Sequence, residues 1–283
     1  MTVVGLSLAS AVLFGAMAVA LRVAITRGRP TEAGALFTLL PALVVALVAT
    51  ALTSDWDLGS AWPYLIAGLL APGISQITFT HAVRLAGSSR ASVTVGTAPL
   101  FGGGMAIALL GEPVVAGLVV GAILIVSGGS LLVTEQGRPG HVRTLGIALA
   151  LLTSAVFSGR DVFVRWLGTE VSDTDPALAL TATLVTGIGV SLVYLRARRA
   201  TVSLTTLPPF LLPGVLMGLS YVCLFEAFFR GRITVISPIV ATEALFGVVF
   251  SALLLRHTER VGRKLVLGAL LVVLGGVLIG LSR

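Results

Sequence analysis

Long apolar stretches alternate with short polar gaps along the whole chain. Stretches of about 20 apolar residues are typical of helices that cross a hydrocarbon core about 30 Å thick. The pattern predicts an all-α integral membrane protein with ten such helices, predicted spans 1 to 10, over residues 3–24, 33–53, 62–84, 90–110, 115–134, 144–166, 176–195, 210–229, 234–255 and 262–281. Ten helices take up most of the 283 residues, so we expect no separate aqueous domain.

The gaps between the predicted spans differ in charge. When each gap takes the number of the predicted span before it, the odd-numbered gaps and the span ends that border them hold fourteen of the 19 Lys and Arg residues. These are Arg22, Arg27, Arg29, Arg84, Arg90, Arg138, Arg143, Arg196, Arg198, Arg199, Arg256, Arg260, Arg263 and Lys264. Because short loops rich in Lys and Arg stay in the cytoplasm, we expect both termini on the extracytoplasmic side of the cell membrane.

Composition narrows the class of protein further. A mean hydropathy of +1.05 does not describe a soluble globule. The net charge of +7 is better explained by topology signals near anionic lipid headgroups than by nucleic-acid binding. Cys223 is the single cysteine, so we expect neither a disulfide nor a thiolate metal site. The first apolar stretch lacks a charged leader, and we interpret it as a span although Ala18-Val19-Ala20 resembles a cleavage site.

The sequence does not contain the motifs of ATP-driven transport, metal binding or intramembrane hydrolysis. The sequence contains no G-x-x-x-x-G-K-[ST] loop, so we expect no transport driven by ATP within this chain. We find no His, Cys, Asp and Glu cluster at metal-binding spacing and no arrangement typical of an intramembrane hydrolase. We therefore expect no cofactor and no enzymatic activity.

The two halves of the sequence resemble each other. Phe14 and Arg22 match Phe157 and Arg165 at an offset of 143 residues, and Ala82 matches Ala227 at 145. At an offset of 147, Glu112, Gly121, Gly128 and Gly129 match Glu259, Gly268, Gly275 and Gly276. Five spans is an odd number, so residues 141–283 must enter the membrane inverted relative to residues 1–140. The alternating charge agrees, and the pattern predicts the inverted repeat of many secondary transporters.

A set of short motifs resembles the EamA-type members of the drug/metabolite transporter superfamily. They are Phe14-Gly15-Ala16, Ala82-Val83-Arg84, Ala91-Ser92-Val93, Thr97-Ala98-Pro99-Leu100-Phe101, Leu110-Gly111-Glu112-Pro113 and the glycines from Gly121 to Gly129. The second half repeats the pattern more loosely, with Leu255 to Glu259 in place of Leu-Gly-Glu and no equivalent of Pro99. The resemblance implies a ten-helix carrier with a central cavity and with spans 5 and 10 at the periphery.

Charged residues at bilayer depth are costly and therefore mark candidate sites. Glu243 lies near the middle of predicted span 9, after Pro238, which can open the helix locally. It can couple transport to protons or bind a substrate ammonium, and the alternative is a structural hydrogen bond. In predicted span 6, Asp161 and Arg165 are four residues apart and are expected to pair. That leaves Arg160 to bind a substrate carboxylate, or to act as an interfacial cation.

Further candidates are less specific. His81 and Glu226 are equivalent in the two halves and are candidates for gating residues, or for a lone interfacial histidine and a helix-end ion pair. A bend at Pro72 places Gln76 near freed carbonyls, and a bend at Pro99 lies beside Thr97. Tyr221 is a candidate contact for an apolar substrate, although single aromatics in spans more often face lipid or the interface.

These patterns favour a secondary transporter, an exporter of small metabolites such as amino acids that alternates access between its two halves. Proton coupling, exchange and facilitated diffusion stay open. The alternatives are a flippase for lipid-linked carriers, a membrane-embedded enzyme and a membrane subunit without flux. Gly117-x-x-x-Gly121 and Gly276-x-x-x-Gly280 suit close helix packing, either within the chain or in a homodimer through the last span.

Overall fold

The structure is a computed structural model that describes residues 2–26, 31–53, 56–110, 116–133, 144–200, 203–231, 233–255 and 262–281. Every regular element within these ranges is helical. The helices are α1 (Val3–Thr26), α2 (Thr31–Thr53), α3 (Leu58–Gly68), α4 (Ser75–Ala86), α5 (Ser88–Val95), α6 (Ala98–Leu110), α7 (Ala116–Val133), α8 (Thr144–Trp166), α9 (Pro176–Ala197), α10 (Leu211–Arg230), α11 (Ile233–Val240), α12 (Glu243–Leu254) and α13 (Arg263–Leu281). Single π-helical turns at Leu69–Ile74 and Leu167–Val171 and 3₁₀ turns at Leu204–Thr206 and Pro208–Phe210 complete the description.

Seven helical segments in the described part of the chain are long and apolar enough to cross a membrane. They are Val3–Ile25, Thr31–Thr53, Leu58–Ala86, Thr144–Val171, Pro176–Ala197, Pro208–Arg230 and Val235–Leu254. They overlap predicted spans 1, 2, 3, 6, 7, 8 and 9, so the prediction of an all-α, multi-span architecture is confirmed. Helices α5 with α6, α7 and α13 occupy predicted spans 4, 5 and 10.

Helix α1 defines two ends of the molecule. Near its C-terminus, Arg22 donates to the carbonyl oxygens of Val83 and Arg84 at 3.0 and 2.7 Å, at the C-terminus of α4. Near its N-terminus, Val3 packs against Gly231, which follows α10. A helix of this length extends about 36 Å. The C-termini of α4 and α10 therefore lie at opposite ends, which we call the α4 end and the α10 end.

The C-terminus of α10 is capped in the same way as that of α4. Arg165, near the end of α8, donates from Nη1 to the carbonyl oxygen of Phe228 at 2.6 Å. The last carbonyls of a helix lack intrahelical donors and carry partial negative charge, so a cation there is stabilising. Arg22 is only 6% exposed, and both arginines act on the fold as helix caps.

Two extensive helix contacts join the two halves of the chain. Helix α1 of the first half packs on α10 of the second, and α4 of the first half packs on α8 of the second. Phe14 of α1 lies with its ring centre 5.3 Å from that of Phe79 and 5.8 Å from that of Phe157. These aromatic rings fill the space where the two halves of the chain meet.

Helices α7 and α13 pack antiparallel through glycines. A Cβ atom at Gly275 would lie 2.5 Å from the carbonyl oxygen of Gly121, and one at Gly128 would lie 2.6 Å from that of Gly268. Backbones this close leave no room for a side chain. Gly121 of the predicted face Gly117-x-x-x-Gly121 is thus in use within the chain, whereas the other three glycines of this contact lie outside the two faces predicted from the sequence.

Helices α2 and α9 also run antiparallel. Thr50 and Thr181 share a hydrogen bond with their hydroxyl oxygens 2.8 Å apart, and Thr53 donates to Asp175 at 3.2 Å. The end of α2 therefore meets the start of α9, and the start of α2 meets the end of α9 at the α4 end.

Candidate functional site

The candidate site is in the interior, where α8 meets α10. Arg160 of α8 is 1% exposed. Its guanidinium carbon lies 5.0 Å from the ring centre of Tyr221, 5.5 Å from that of Phe225 and 5.8 Å from that of Phe157. We call these three rings the aromatic cage. A guanidinium within about 6 Å of a ring centre is attracted to the electron-rich face, so the cage stabilises a cation that is costly at this depth.

Arg160 pairs with its neighbour Asp161. The Nε atom of Arg160 is 2.7 Å from Oδ1 of Asp161. The predicted pair between Asp161 and Arg165 is wrong, because Arg165 donates to the Phe228 carbonyl instead. The four-residue rule describes a helix surface without competing acceptors, and here the C-terminus of α10 supplies one. The Nη1 atom of Arg160 has no hydrogen-bond partner among the described residues.

Of the two roles predicted for Arg160, that of an interfacial cation does not fit its position in the structure. Helical structure continues beyond Trp166 through the π-helical turn Leu167–Val171, so the segment extends from Thr144 to Val171. Arg160 consequently lies well inside the segment, and its burial excludes an interfacial cation that extends toward water.

Glu243 is the first residue of α12, where the helix of predicted span 9 is interrupted. It is 6% exposed and lines a cavity of about 40 Å³ together with Asp161, Ser158 and Ser237. A cavity needs about 10–15 Å³ to hold a water, so this one has room for water but not for a metabolite. The cavity brings together two carboxyl groups and two hydroxyls, and one of the carboxyl groups, that of Asp161, is paired with Arg160.

The interruption in predicted span 9 has a counterpart in predicted span 4. Helices α11 and α12 are separated by a turn at Ala241 and Thr242, and α5 and α6 by a turn at Gly96 and Thr97. The paired turns are 145 residues apart in sequence. Both open onto the cavity, which is lined on these two sides by Ala98 and Ala241. Pro238 lies inside α11, one turn before the break.

Pro99 shapes the break between α5 and α6. Proline has no backbone N–H, so the carbonyl four residues earlier, that of Val95, loses its helical donor. The Ser154 hydroxyl donates to this carbonyl at 3.0 Å and lies 3.1 Å from Oγ1 of Thr97. One turn further along α8, Ser158 donates to the carbonyl of Ala98 at 2.6 Å. Two serines of α8 thus satisfy the backbone where the helix is broken.

Gln76 is fully buried next to a second irregular segment. Its side-chain oxygen and nitrogen have no hydrogen-bond partner among the described residues. The preceding π-helical turn contains Pro72, and Ala71 there leaves the helical region with φ −138° and ψ 126°. Pro72 packs against Gly187 of α9, where a Cβ would lie 2.6 Å from the proline ring. Gln76 does not line the cavity and does not hydrogen-bond the carbonyls near the bend.

His81 and Glu226 lie at opposite ends of the molecule. At the α4 end, Nε2 of His81 is 2.9 Å from the hydroxyl of Tyr194, which joins α4 to α9. At the α10 end, Glu226 forms an ion pair with Arg230, one turn later on the same helix. The histidine therefore connects two helices, whereas the glutamate has a partner within its own helix.

Sequence reasoning missed several residues of this region. Phe225 contacts Arg160, Ser154 and Ser158 bond the backbone of the broken helix, and Thr242 marks the second break. The repeat offset of 145 residues from Thr97 points to Thr242. Pro99 signals that the Val95 carbonyl needs a donor, but nothing in the local sequence says that α8 supplies it.

Two motif glutamates, Glu112 and Glu259, lie outside the residues that the structure describes. Within the described ranges, no three His, Cys, Asp or Glu side chains come together as a metal site.

Comparison with known proteins identifies the family. The EamA-like transporter family matches the chain twice, over residues 1–134 and 144–281. The chain therefore belongs to the EamA-like transporter family, in the drug/metabolite transporter superfamily, and the resemblance seen in its motifs is confirmed. Its apolar helices and its family identify it as a multi-pass membrane protein, and its family identifies it as a membrane transporter.

The fold is similar to that of solved structures, among them a crystal structure of a protein whose title gives no function. That crystal structure aligns with 98% of this chain and 95% of its own, with a TM-score of 0.69 and 17% sequence identity. No curated protein matches the chain significantly.

Proposed function

We propose that the protein is a secondary transporter that exports small metabolites such as amino acids, with the aromatic cage, Arg160, Asp161 and Glu243 as its binding site. Ten membrane spans, arranged as two inverted five-helix halves, alternate access to this site. The single observation that carries the proposal is a buried cation and two carboxyl groups around a cavity at the meeting point of the two halves.

Equivalent contacts in the two halves support the repeat. Arg22 caps α4 at the Val83 carbonyl, and Arg165 caps α10 at the Phe228 carbonyl. Arg22 and Arg165 are 143 residues apart, and Val83 and Phe228 are 145 apart, which are the offsets found in the sequence. The same contact thus forms twice with corresponding residues.

Antiparallel pairing of corresponding helices supports the inversion. Helices α2 and α9 occupy the same place in each half, as do α7 and α13, and both pairs run antiparallel. Corresponding helices of a parallel repeat would run in the same direction. A twofold axis in the membrane plane relates inverted halves and produces the observed pairing.

The charges of the site suit a zwitterionic substrate. Arg160 has a free Nη1 donor that can bind a carboxylate, and Glu243 and Asp161 can bind an ammonium group. If all three groups are ionised, the site carries one excess negative charge, and an unpaired buried charge is costly. A substrate cation or a proton at Glu243 would remove that cost, which provides a physical basis for proton coupling.

The size of the cavity supports an occluded arrangement. The cavity of about 40 Å³ is smaller than the roughly 150 Å³ that encloses a benzene-sized ligand. A metabolite can enter only when helices around the site separate. His81 with Tyr194 links α4 and α9 at the α4 end, and we assign this link to the gate there. Glu226, paired within α10, is the candidate residue at the other end.

The direction of insertion follows from charge. The seventh gap, with Arg196, Arg198 and Arg199, is at the α4 end, and basic loops favour the cytoplasm. The α4 end is then cytoplasmic, and both termini are extracytoplasmic.

Counterflow in proteoliposomes tests the function. Vesicles loaded with an unlabelled amino acid are diluted into the same labelled compound, across a panel of acidic, basic, apolar and polar amino acids. Saturable accumulation above protein-free vesicles for at least one member is expected. The absence of accumulation for every amino acid, with the protein folded and inserted, contradicts the proposed substrate class.

A further inference from the structure

A second cavity shares no lining residue with the first and lies between α2 and α9 at the α4 end. It is a groove of about 710 Å³, within the size range of ligand pockets. Its apolar walls include Leu36 and Leu40 of α2 and Leu192 and Leu195 of α9. Two arginines of the α9 C-terminus also line it.

These two arginines, Arg196 and Arg199, are held by the way in which α9 ends. The N–H of Ala200 donates to the carbonyl of Leu195 at 3.1 Å, and the N–H of Arg199 donates to that of Arg196 at 3.1 Å. This pair of bonds is the Schellman motif, whose left-handed residue is usually glycine. Here Arg199 takes that position with φ 50°.

An arginine in this conformation is an exception that needs a reason. Left-handed backbone is unfavourable for residues with a Cβ, so a glycine would end the helix with less strain. The side chain of Arg199 lines the groove, where a glycine would contribute nothing. Strain that persists in a folded protein often marks a functional position.

The groove offers a charged surface and an apolar surface, which together suit an amphipathic ligand. Arginine matches phosphate oxygens with paired N–H donors, and the leucine walls suit a hydrocarbon chain. The surroundings of the groove are basic. Arg84 and Arg198 lie at the same end as the two groove arginines, and the acidic residue Glu32 also lies there. Val193, next to the groove on α9, is 71% exposed, as expected for a face toward lipid.

We infer that this groove binds one anionic phospholipid, with its phosphate on Arg196 and Arg199 and an acyl chain against the leucines of α2 and α9. A soluble phosphate would use the arginines but leave the apolar walls without a role. Because the groove is formed by both α2 and α9, the lipid would contact one helix from each half of the chain.

Native mass spectrometry of the whole protein tests the inference without any transport assay. The protein is released from micelles that contain equimolar dioleoyl phosphatidylglycerol and dioleoyl phosphatidylcholine, and the retained lipids are counted. The parent is expected to retain phosphatidylglycerol preferentially. Arg196→Gln combined with Arg199→Gly is expected to lower this preference roughly tenfold, the effect of losing charge-assisted bonds to one phosphate.

Two controls keep the result interpretable. Arg263→Gln removes one charge from an exposed position of α13 outside the groove, and it should leave the preference unchanged. Arg199→Gly alone should keep or raise the melting temperature, since glycine suits the left-handed position. A loss of lipid in that variant therefore cannot come from unfolding.

Three outcomes would overturn the inference. The first is equal retention of the two lipids by the parent. The second is a lipid preference in the Arg196→Gln, Arg199→Gly double variant that equals that of the parent or that of Arg263→Gln. The third is a rise in the melting temperature of the parent with inorganic phosphate that equals the rise with phosphatidylglycerol. The apolar walls would then have no part in binding.

Discussion

Arg160 and Asp161 are consecutive residues of α8, and their side chains form an ion pair of 2.7 Å. Neighbouring residues of a helix point about 100° apart, so such a pair forms only when other contacts direct both side chains. Here the aromatic cage holds the guanidinium, and Asp161 turns toward it from the edge of the cavity. The positive charge of Arg160 is balanced by Asp161, so Glu243 is the carboxyl group of this site that Arg160 does not neutralise.

Breaking this pair from one side should be costly. Arg160→Met leaves Asp161 without its cation, and we expect a loss of about 3 kcal/mol, the lower end for a buried pair because Asp161 is 23% exposed. Adding Asp161→Asn to Arg160→Met should recover much of this loss. Chemical unfolding in detergent measures both variants. If the double variant is no more stable than the single one, the pair does not have the role assigned here.

The glycine contact between α7 and α13 predicts how alanine substitutions change the free energy of unfolding. Gly275→Ala places a Cβ 2.5 Å from the Gly121 carbonyl oxygen and should destabilise by about 1–3 kcal/mol. Gly189→Ala is the matched control, since no atom lies within 4 Å of a Cβ there. It should be neutral or stabilise by up to about 1 kcal/mol. Equal effects of the two substitutions would show that the helices do not pack at Gly275.

Ser154 and Pro99 should be coupled through the Val95 carbonyl. Ser154→Ala leaves that buried carbonyl without a donor and should cost about 1–3 kcal/mol. In a Pro99→Ala background, the new backbone N–H can reach Val95, so the same serine substitution should cost less. A double-mutant cycle of unfolding free energies measures the difference. A coupling energy near zero would contradict the proposed bond.

Arg22 should act on stability as well as on topology. Arg22→Leu removes the cap from α4 and should cost about 1–2 kcal/mol. Arg263→Leu removes an exposed arginine and should change stability by less than about 0.5 kcal/mol. Thermal unfolding of both variants provides the comparison. If Arg22→Leu and Arg263→Leu have equal melting temperatures, Arg22 acts only as a positive charge that orients the chain in the membrane.

The all-α, multi-span architecture could be predicted from the sequence because apolar length alone identifies a membrane span. Within a span, however, most residues are apolar on every side, so periodicity does not show which face meets another helix. Sequence reasoning therefore found Glu243 and Arg160 by their charge but assigned the wrong partner to Asp161.

The same limit explains the residues that were missed. The need for a donor at Val95 follows from Pro99, whereas the donor, Ser154, is fixed by the packing of α8 against the break. The caps from Arg22 and Arg165 likewise depend on which helix ends lie nearby. Tertiary neighbours decide these contacts, and local sequence does not contain them.

The most direct test of the central claim compares counterflow at two pH values for the parent, Glu243→Gln and Glu170→Gln. Glu170 is exposed at the end of the π-helical turn after α8, so its substitution is a matched change outside the site. The account predicts that pH changes the flux of the parent and of Glu170→Gln equally, while Glu243→Gln inserts normally but loses the pH-dependent flux. A Glu243→Gln protein with the flux and pH dependence of the parent would contradict the assignment of Glu243 to the transport site.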